Sequence, residues 1–204
     1  DQGYDSMVTW QFNKLKEKGL VKKGKHPVIW CPKDNVPVGD HDRAEGEGET
    51  LKDFIWVKFK LKDSDLILMS GTTRPDALFG QTNLWVHPET EYSIIRVEGE
   101  KWVVGKEAVQ KIEDQFSQVE VIGSVHAKEL MGKWVKGPYV ENEIYILPAL
   151  FIDPHVGSGI VYSALETPQD LMEVKRLHDE PALSKQHGLD YSVVKEIVPL
   201  NNIS

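Results

Sequence analysis

The chain contains 204 residues, of which 40% are hydrophobic and 27% are charged, and its formal net charge is −8 at pH 7. A chain of this length has room for one well-packed domain and a small appendage. The acidic balance argues against a protein that holds nucleic acid chiefly by its phosphates, so we expect any contact with RNA to be local or weak. No apolar run approaches the roughly 18–20 residues that a membrane-spanning helix needs.

Cysteine content and chain ends add two expectations. Cys31 is the only cysteine, which excludes a disulfide framework or a thiolate zinc site within the chain and fits a reducing, cytoplasmic compartment. The sequence begins at Asp1 without an initiator Met and ends at Ser204, from which we expect an excised domain of a longer protein.

The first 50 residues predict a helix and a polar linker. Val8, Phe12 and Leu15 form one apolar stripe of a helix over residues 7–19. A basic run over 16–25 is typical of a solvated surface, and a short strand follows over 26–30.

A polar cluster lies beyond that strand, where Asp40, His41, Asp42 and Glu45 follow one another closely. Carboxylates and imidazole suit a divalent ion, but this spacing matches no EF-hand loop. We therefore expect no metal site here.

The remaining chain predicts short strands and a few helices. Strands are expected over 54–61 and 66–69 as a hairpin, and over 84–86, 91–97, 101–104, 119–122, 144–147 and 193–198. Helices are expected over 106–116 and 168–178, the second with Leu171, Val174 and Leu177 facing inward. Because strands and helices do not alternate as βαβ units, the pattern predicts an α+β fold centred on a β-barrel with peripheral helices.

Polar groups of several kinds follow the strand at 66–69. Thr72 and Thr73 offer hydroxyls, Arg74 a cation and Asp76 a carboxylate, while Pro75 favours a short turn or helix. Such groups at the rim of a rigid sheet are typical of a small-molecule site. The alternative is an ordinary strand–turn–helix corner in which the threonines cap a helix.

The motif at 72–76 resembles the threonine-rich segment of the editing domain inserted in the class Ia synthetases for leucine, isoleucine and valine. The stretch 81–88 is most similar to leucyl-tRNA synthetases of the archaeal and eukaryotic type. Residues 39–43 resemble the segment by which that family's chain enters the editing insert. The resemblance implies an entry helix and linker strands over 1–48 and an editing domain over 49–204.

A second motif, residues 157–163, resembles the family's Gly-Thr-Gly-Val-Val segment, which leads through a Pro-rich turn to an aspartate that opens a helix. Asp170 is the matching position. The resemblance implies that it holds the α-amino group of a mischarged amino acid, since a shielded carboxylate pairs well with an ammonium. The alternative is a helix N-terminal acid that interacts with the helix dipole.

The resemblance implies hydrolytic, post-transfer editing, in which the ester between a non-cognate amino acid and the 3′-terminal ribose of tRNA is cleaved as a second sieve. An aminoacyl ester is already activated, so a positioned water and a stabilised oxyanion suffice. The implied catalytic residues are Thr72, Thr73, Arg74 and Asp170, and the implied substrate-binding residues are Asp76, Ala77, Leu78, Phe79, Tyr162, Ser163 and Ala164.

The same resemblance implies partners and cofactors. The partners are the tRNA acceptor end carrying a non-cognate amino acid and the remainder of the synthetase, with no membrane. The domain needs no cofactor, and ATP and Mg belong to the synthetic core outside this chain.

Two departures from the family pattern are visible. Ala77 stands where most relatives carry a threonine that keeps leucine out of the editing pocket, and we expect Leu78, Phe79 or Tyr162 to fill the gap. The turn over 163–170 is about one residue shorter, so Glu166 and Thr167 lack counterparts. Two alternatives therefore stand: a non-catalytic domain that binds the tRNA acceptor end, and a valyl- or isoleucyl-type editing domain.

Overall fold

A computed structural model describes residues 2–24, 28–31, 33–39, 42 and 53–200. It divides the chain into two units, Asp1–Lys52 and Asp53–Ser204.

Among its described residues, the first unit contains one α-helix and one small pair of strands. Helix α1 (Gln2–Glu17) covers most of the predicted helix, and the apolar stripe of Val8, Phe12 and Leu15 is exposed. Strands β1 (Trp30–Cys31) and β2 (Val36–Pro37) pair antiparallel.

Four predictions for this unit fall partly outside the described residues, including the basic run, of which Lys25 lies outside them, and the segment 39–43. His26 and Pro27 of the predicted strand lie outside them, as do Asp40, His41 and Glu45 of the polar cluster. Asp42 is described, and its carboxylate accepts a hydrogen bond from the Gly39 amide at 3.0 Å.

The second unit is built on a nine-stranded mixed sheet. Its strands are β3 (Ile55–Leu61), β4 (Leu66–Thr72), β5 (Asn83–Val86), β6 (Glu91–Val97), β7 (Glu100–Val104), β8 (Val119–His126), β9 (Trp134–Lys136), β10 (Glu143–Pro148) and β11 (Ile160–Ser163). The hydrogen-bonded order is β11-β5-β10-β9-β3-β4-β7-β6-β8. The predicted hairpin of β3 and β4 is confirmed.

Six helical segments accompany the sheet. They are a 3₁₀ helix (Pro75–Gly80), α2 (Lys106–Glu113), α3 (Ala127–Leu130), α4 (Pro168–Asp179), α5 (Pro181–Gln186) and α6 (Tyr191–Glu196). A mixed fold with a large sheet core is thus confirmed. The closed barrel is not, because the ladder of main-chain hydrogen bonds is open, with β11 and β8 at its two ends. No helix in the described part of the chain is long and apolar enough to cross a membrane.

Two local predictions are wrong. The stretch 193–198 is not a strand but overlaps α6, because the Asp190 carboxylate accepts from the Ser192 amide at 2.9 Å and caps a helix there. This cap outweighs the strand preference of the valines that follow. In α4, Val174 and Leu177 are buried as predicted, but Leu171 is 41% exposed.

The core has two parts. The larger one contains Phe59, Leu84 and Ile146, each fully buried. The smaller one lies beneath α2, where Ala108 and Ile112 face inward. Phe116 packs edge-on against Trp102, with ring centroids 5.4 Å apart.

Tyr92 ties the core to the glycine-rich segment before β11. Its side chain is fully buried, its hydroxyl donates to the Gly159 carbonyl at 2.9 Å, and it accepts from the His87 amide at 3.1 Å. Burial raises the pKa of Tyr92 to about 12. The neutral phenol is therefore favoured by folding.

Alkaline titration tests the raised pKa of Tyr92. Because the folded-state pKa is raised, the stabilisation is fully present below the unfolded pKa of about 10 and is lost as pH rises through about 12. We expect the free energy of unfolding in urea to fall by about 2–3 kcal/mol across this window. Tyr92→Phe should remove that slope, whereas Tyr139→Phe, at a tyrosine that is 77% exposed, should keep it. Equal slopes in both variants would contradict the assignment.

Candidate functional site

A buried serine holds β4 beside β11. Ser70 is fully buried, and its hydroxyl donates to the Ile160 carbonyl at 3.1 Å and accepts from the Tyr162 amide at 2.9 Å. One residue on, the Gly71 amide donates to the Ser158 hydroxyl at 2.9 Å. These are side-chain bonds, so they lie outside the main-chain ladder, but they join β4 to β11 and to the segment just before it.

The strand directions put both sequence motifs at the same end of this seam. β3 is antiparallel to β4, β9 to β3, and β10 to β9, while β5 is parallel to β10 and β11 is antiparallel to β5. β11 therefore runs in the same direction as β4. The carboxyl ends of the two strands meet, and so do the segments that follow them.

The threonine-rich segment after β4 is fixed by its own hydroxyl and by Tyr162. Thr72 Oγ1 accepts from the Arg74 amide at 2.9 Å, and the Tyr162 hydroxyl donates to the Arg74 carbonyl at 2.7 Å. Thr73 is exposed. The 3₁₀ helix starts with Arg74 as its N-cap and without a side-chain cap, so the threonines do not have the capping role of the alternative interpretation.

Arg74 connects the two motifs by charge. Its guanidinium lies 3.3 Å from a Glu166 oxygen and 3.7 Å from an Asp76 oxygen. The Arg74 side chain is 64% exposed, and such exposed ion pairs contribute little to stability. The Arg74–Glu166 pair instead links the two segments, because Glu166 follows β11 whereas Arg74 follows β4.

Asp170 is held by two side chains in the first turn of α4. Trp85 Nε1 donates to one carboxylate oxygen at 2.9 Å, and the Thr167 hydroxyl donates to the other at 2.9 Å. Thr167 also caps α4 by accepting from the Asp170 amide at 3.2 Å. The carboxylate thus has a fixed orientation, and each oxygen retains a free lone pair for a cation.

The other predicted substrate-binding residues have different surroundings. Ala77 is half-buried against the larger core and Leu78 is buried in it, whereas Phe79 is 65% exposed. Ser163 is buried and its hydroxyl accepts from the Leu165 amide at 3.0 Å, while Ala164 is half-buried.

Of the three residues expected to fill the space beside Ala77, Tyr162 is the one in contact with the threonine-rich segment. Its ring lies 5.8 Å from that of Phe59. Burial, and to a lesser extent the neighbouring carboxylates of Asp76 and Glu166, raises the pKa of Tyr162. The phenol therefore stays a hydrogen-bond donor at neutral pH.

Sequence reasoning missed three residues of this region: Trp85, Glu166 and Thr167. A threonine followed by proline before a helix is a known N-cap pattern and would have identified Thr167. The apolar run around Trp85 predicted only a buried strand, and no local sequence pattern shows that Glu166 reaches Arg74. Within the described residues, no group of three or more His, Cys, Asp or Glu side chains is placed to hold a metal ion.

Comparison with known proteins found relatives of this chain, although no family model matches it. The chain is 44% identical over 204 residues to the leucine–tRNA ligase of Methanopyrus kandleri and 44% identical over 202 residues to that of Archaeoglobus fulgidus. These alignments cover 100% and 98% of this chain but only 22% of each relative, so the chain spans about a fifth of their length.

Solved structures show the same fold. GlLeuRS-CP1 matches with a TM-score of 0.67 and 22% identity, over 72% of this chain and 70% of that one. The editing domain of the P. knowlesi cytosolic leucyl-tRNA synthetase matches with a TM-score of 0.63 and 14% identity, over 69% and 67%. The fold is that of leucyl-tRNA synthetase editing domains. The chain itself is homologous along its length to a segment of archaeal leucine–tRNA ligases, which confirms the predicted resemblance.

The seam between β4 and β11 yields a prediction about stability. Ser70→Ala removes the hydroxyl and leaves the buried Tyr162 amide without its acceptor, while the Ile160 carbonyl still accepts from the Ser158 hydroxyl at 2.9 Å. We expect a loss of about 1–3 kcal/mol in the free energy of unfolding, measured in urea.

The matched control is Ser93→Ala, at a serine of β6 that is 8% exposed and lies outside the seam. We expect a smaller loss there. If the two variants lose equal stability, the Ser70 hydroxyl has no special role in joining the strands.

Proposed function

We propose that this chain is the editing part of a leucyl-tRNA synthetase and hydrolyses the ester between a non-cognate amino acid and the 3′-terminal ribose of tRNA. The observation that carries the proposal is the meeting of Thr72–Arg74 with the segment that leads to Asp170 at one end of the sheet. Homology along the chain to leucine–tRNA ligases supports the leucine enzyme over the valine or isoleucine enzyme.

In this mechanism Asp170 receives the α-ammonium group of the amino acid. Trp85 and Thr167 hold the carboxylate before the substrate arrives, so little ordering remains to be done on binding. A charge-assisted hydrogen bond to an ammonium is stronger than a neutral one. Because the ester carbonyl belongs to the same amino acid, binding of the ammonium group to Asp170 also positions the carbonyl.

The threonine-rich segment supplies groups for the water and the developing oxyanion. Thr73 presents an exposed hydroxyl, and the backbone beside it is fixed through the Arg74 carbonyl and amide. Donors that are already oriented stabilise a transition state without reorganisation. Arg74, which lies between Glu166 and Asp76, is available to the ribose-phosphate end of the substrate.

The proposal extends to the architecture. We propose that the Ser70 and Ser158 contacts close a barrel of six strands in the order β4-β3-β9-β10-β5-β11. The contact between the Phe59 and Tyr162 rings, from β3 and β11, supports a shared interior. Residues 1–48 would lead from the synthetase core and 49–204 form the editing domain, in a cytoplasmic enzyme whose ATP and Mg belong to that core.

The second candidate is a domain that binds the tRNA acceptor end without catalysis. One observation that favours it is Ala77, which replaces the threonine of most relatives. The other is that the carboxylates of Glu166 and Asp76 offset the charge of Arg74, the cation that would otherwise face the negatively charged transition state. Deacylation of mischarged tRNA distinguishes the two functions.

Asp170→Asn tests the ammonium site. The amide oxygen still accepts from Trp85, so the fold should be retained, but the charge is gone. The substrate is the leucine-accepting tRNA mischarged with valine or isoleucine. We expect its deacylation to slow at least about 100-fold, corresponding to about 3 kcal/mol. Asp179→Asn, at the other end of α4, is the matched control and should keep its activity. Near-native deacylation by Asp170→Asn would remove this residue from the site.

Tyr162→Phe tests how the threonine-rich segment is positioned. The ring stays against Phe59, but the bond to the Arg74 carbonyl is lost, and we expect kcat for deacylation to fall about 3- to 10-fold with little change in KM. Leucyl-tRNA should still be spared, because we propose that the ring, which Tyr162→Phe retains, fills the space beside Ala77.

The control is Tyr191→Phe, which removes a similar bond, from a tyrosine hydroxyl to the His178 carbonyl at 2.6 Å. It should leave kcat unchanged. Equal activity in the two variants would show that the Tyr162 hydroxyl does not position the segment.

A further inference from the structure

A second cleft, of about 340 Å³, is lined by residues of α3, α4 and α5 and of the segments that follow β5 and β10. These two strands are parallel and end side by side, with Val86 opposite Pro148. In open α/β sheets, ligands bind in crevices beyond the carboxyl ends of parallel strands. The volume also falls in the range of small-molecule pockets, so the cleft is placed and sized for a small ligand.

This cleft is separate from the candidate site. Ser163 at the end of β11 pairs with Asn83, the first residue of β5. The two motifs therefore meet towards the amino end of β5, whereas the cleft lies beyond its carboxyl end. On α4, Arg176 lines the cleft and follows Asp170 by six residues, which is about 9 Å along the helix axis. Among the described residues, none that we assign to the candidate site lines the cleft.

The inner lining of the cleft is apolar and held in place. Three of its residues are buried, namely Pro88, Pro148 and Ala149. The Ala149 amide donates to the Val86 carbonyl at 2.9 Å, which fixes the segment after β10 against β5. Leu183 of α5 also lines the cleft and is half-buried. Such a surface favours contact with a short apolar group.

Charged side chains of both signs surround this lining. Arg176 Nε donates to a Glu173 oxygen at 3.1 Å, so these two charges offset each other. Lys128 of α3 and Glu89 after β5 also line the cleft, and both are exposed. Within the described residues neither of these two forms an ion pair. The cleft therefore offers one available cation and one available carboxylate.

His187 adds a hydrogen-bonding group without a charge. Burial, and to a lesser extent the positive charges of Arg176 and Lys128, lowers the pKa of His187, and Glu173 opposes this shift. The imidazole is therefore neutral at pH 7 and can donate one hydrogen bond. At that pH the cleft carries two cations and two carboxylates. Electrostatic complementarity then favours a ligand with both charges over a simple anion or cation.

We propose that this cleft binds a free α-amino acid with a short apolar side chain. The carboxylate of the ligand pairs with Lys128 and accepts from His187, its ammonium group pairs with Glu89, and its side chain covers the apolar lining. A ligand with a single charge leaves either Lys128 or Glu89 without a partner in the occupied cleft, which lowers its affinity. Because the cleft shares no residue with the candidate site, the inference does not rest on ester hydrolysis.

Three probes with the same branched apolar chain test the need for both charges. L-Valine carries both, isobutylamine lacks the carboxylate, and isovalerate lacks the ammonium group. Each is titrated at pH 7 into the isotope-labelled 204-residue chain, and the NMR shifts of the backbone amides report both affinity and location. We expect L-valine to bind with Kd on the order of 1 mM and to shift the amides of Ala149, Arg176 and His187. Each singly charged probe should bind at least about fivefold more weakly.

Substitutions of the two exposed charges test their assigned partners. Glu89→Gln and Lys128→Met should each weaken L-valine binding at least about fivefold, and the fold should be retained because both side chains are exposed. Glu89→Gln should not weaken isovalerate binding, since that probe has no ammonium group to lose. The matched controls are Glu113→Gln and Lys111→Met, at exposed residues of α2, which should bind L-valine as the wild type does.

Several outcomes would overturn the inference. Equal affinity for the three probes would show that the cleft does not read both charges, and equal L-valine affinity in wild type and Glu89→Gln would remove the ammonium partner. L-Valine that shifts no amide of the cleft, or shifts only those of Thr72–Arg74 and Asp170, would show that the amino acid does not occupy the cleft.

Discussion

The architecture depends on one buried hydroxyl between two strands that are far apart in sequence. Ser70 and Tyr162 are separated by 92 positions, yet the hydroxyl bonds to the main chain on both sides of Val161. Because the two strands run in the same direction, this contact brings together the segments that follow each of them. Without it, the threonine-rich segment and the turn before α4 would follow strands that lie five places apart in the order of the sheet.

The site is then assembled from short-range and long-range contacts of different kinds. Thr72 and the Arg74 amide form a local turn, while the Tyr162 hydroxyl and the Glu166 carboxylate reach the same segment from β11. Asp170 is oriented from β5 through Trp85. Three parts of the chain therefore define one place, which is how a small-molecule site acquires fixed geometry.

Regular elements with a strong local signal were predictable from the sequence. Alternation identified β3 and the apolar run identified β4, and the helix α4 was found at nearly its observed bounds. The strand expected over 193–198 failed because a local cap at Asp190 opposed the preference of its valines. The β-barrel predicted from the sequence remains a proposal, because closure depends on how far the sheet curls and no local sequence pattern specifies that.

Within the site, recognition of the two motifs supplied candidate residues, but not their partners. The link from Trp85 to Asp170, and that from Glu166 to Arg74, join residues 85 and 92 positions apart. Neither leaves a periodic signal in the sequence. The sequence also did not predict that Phe79 is exposed, because it continues an apolar run whose other members, Ala77 and Leu78, pack against the larger core.

The most direct test of the account is a crystal structure of this chain with an aminoacyl-adenosine analogue in which an amide replaces the hydrolysable ester. The account predicts the ammonium group of the analogue about 3 Å from an Asp170 oxygen, with the amide linkage beside Thr72–Arg74. An analogue bound with its ammonium away from Asp170, or seated in a cleft that the threonine-rich segment does not border, would contradict it.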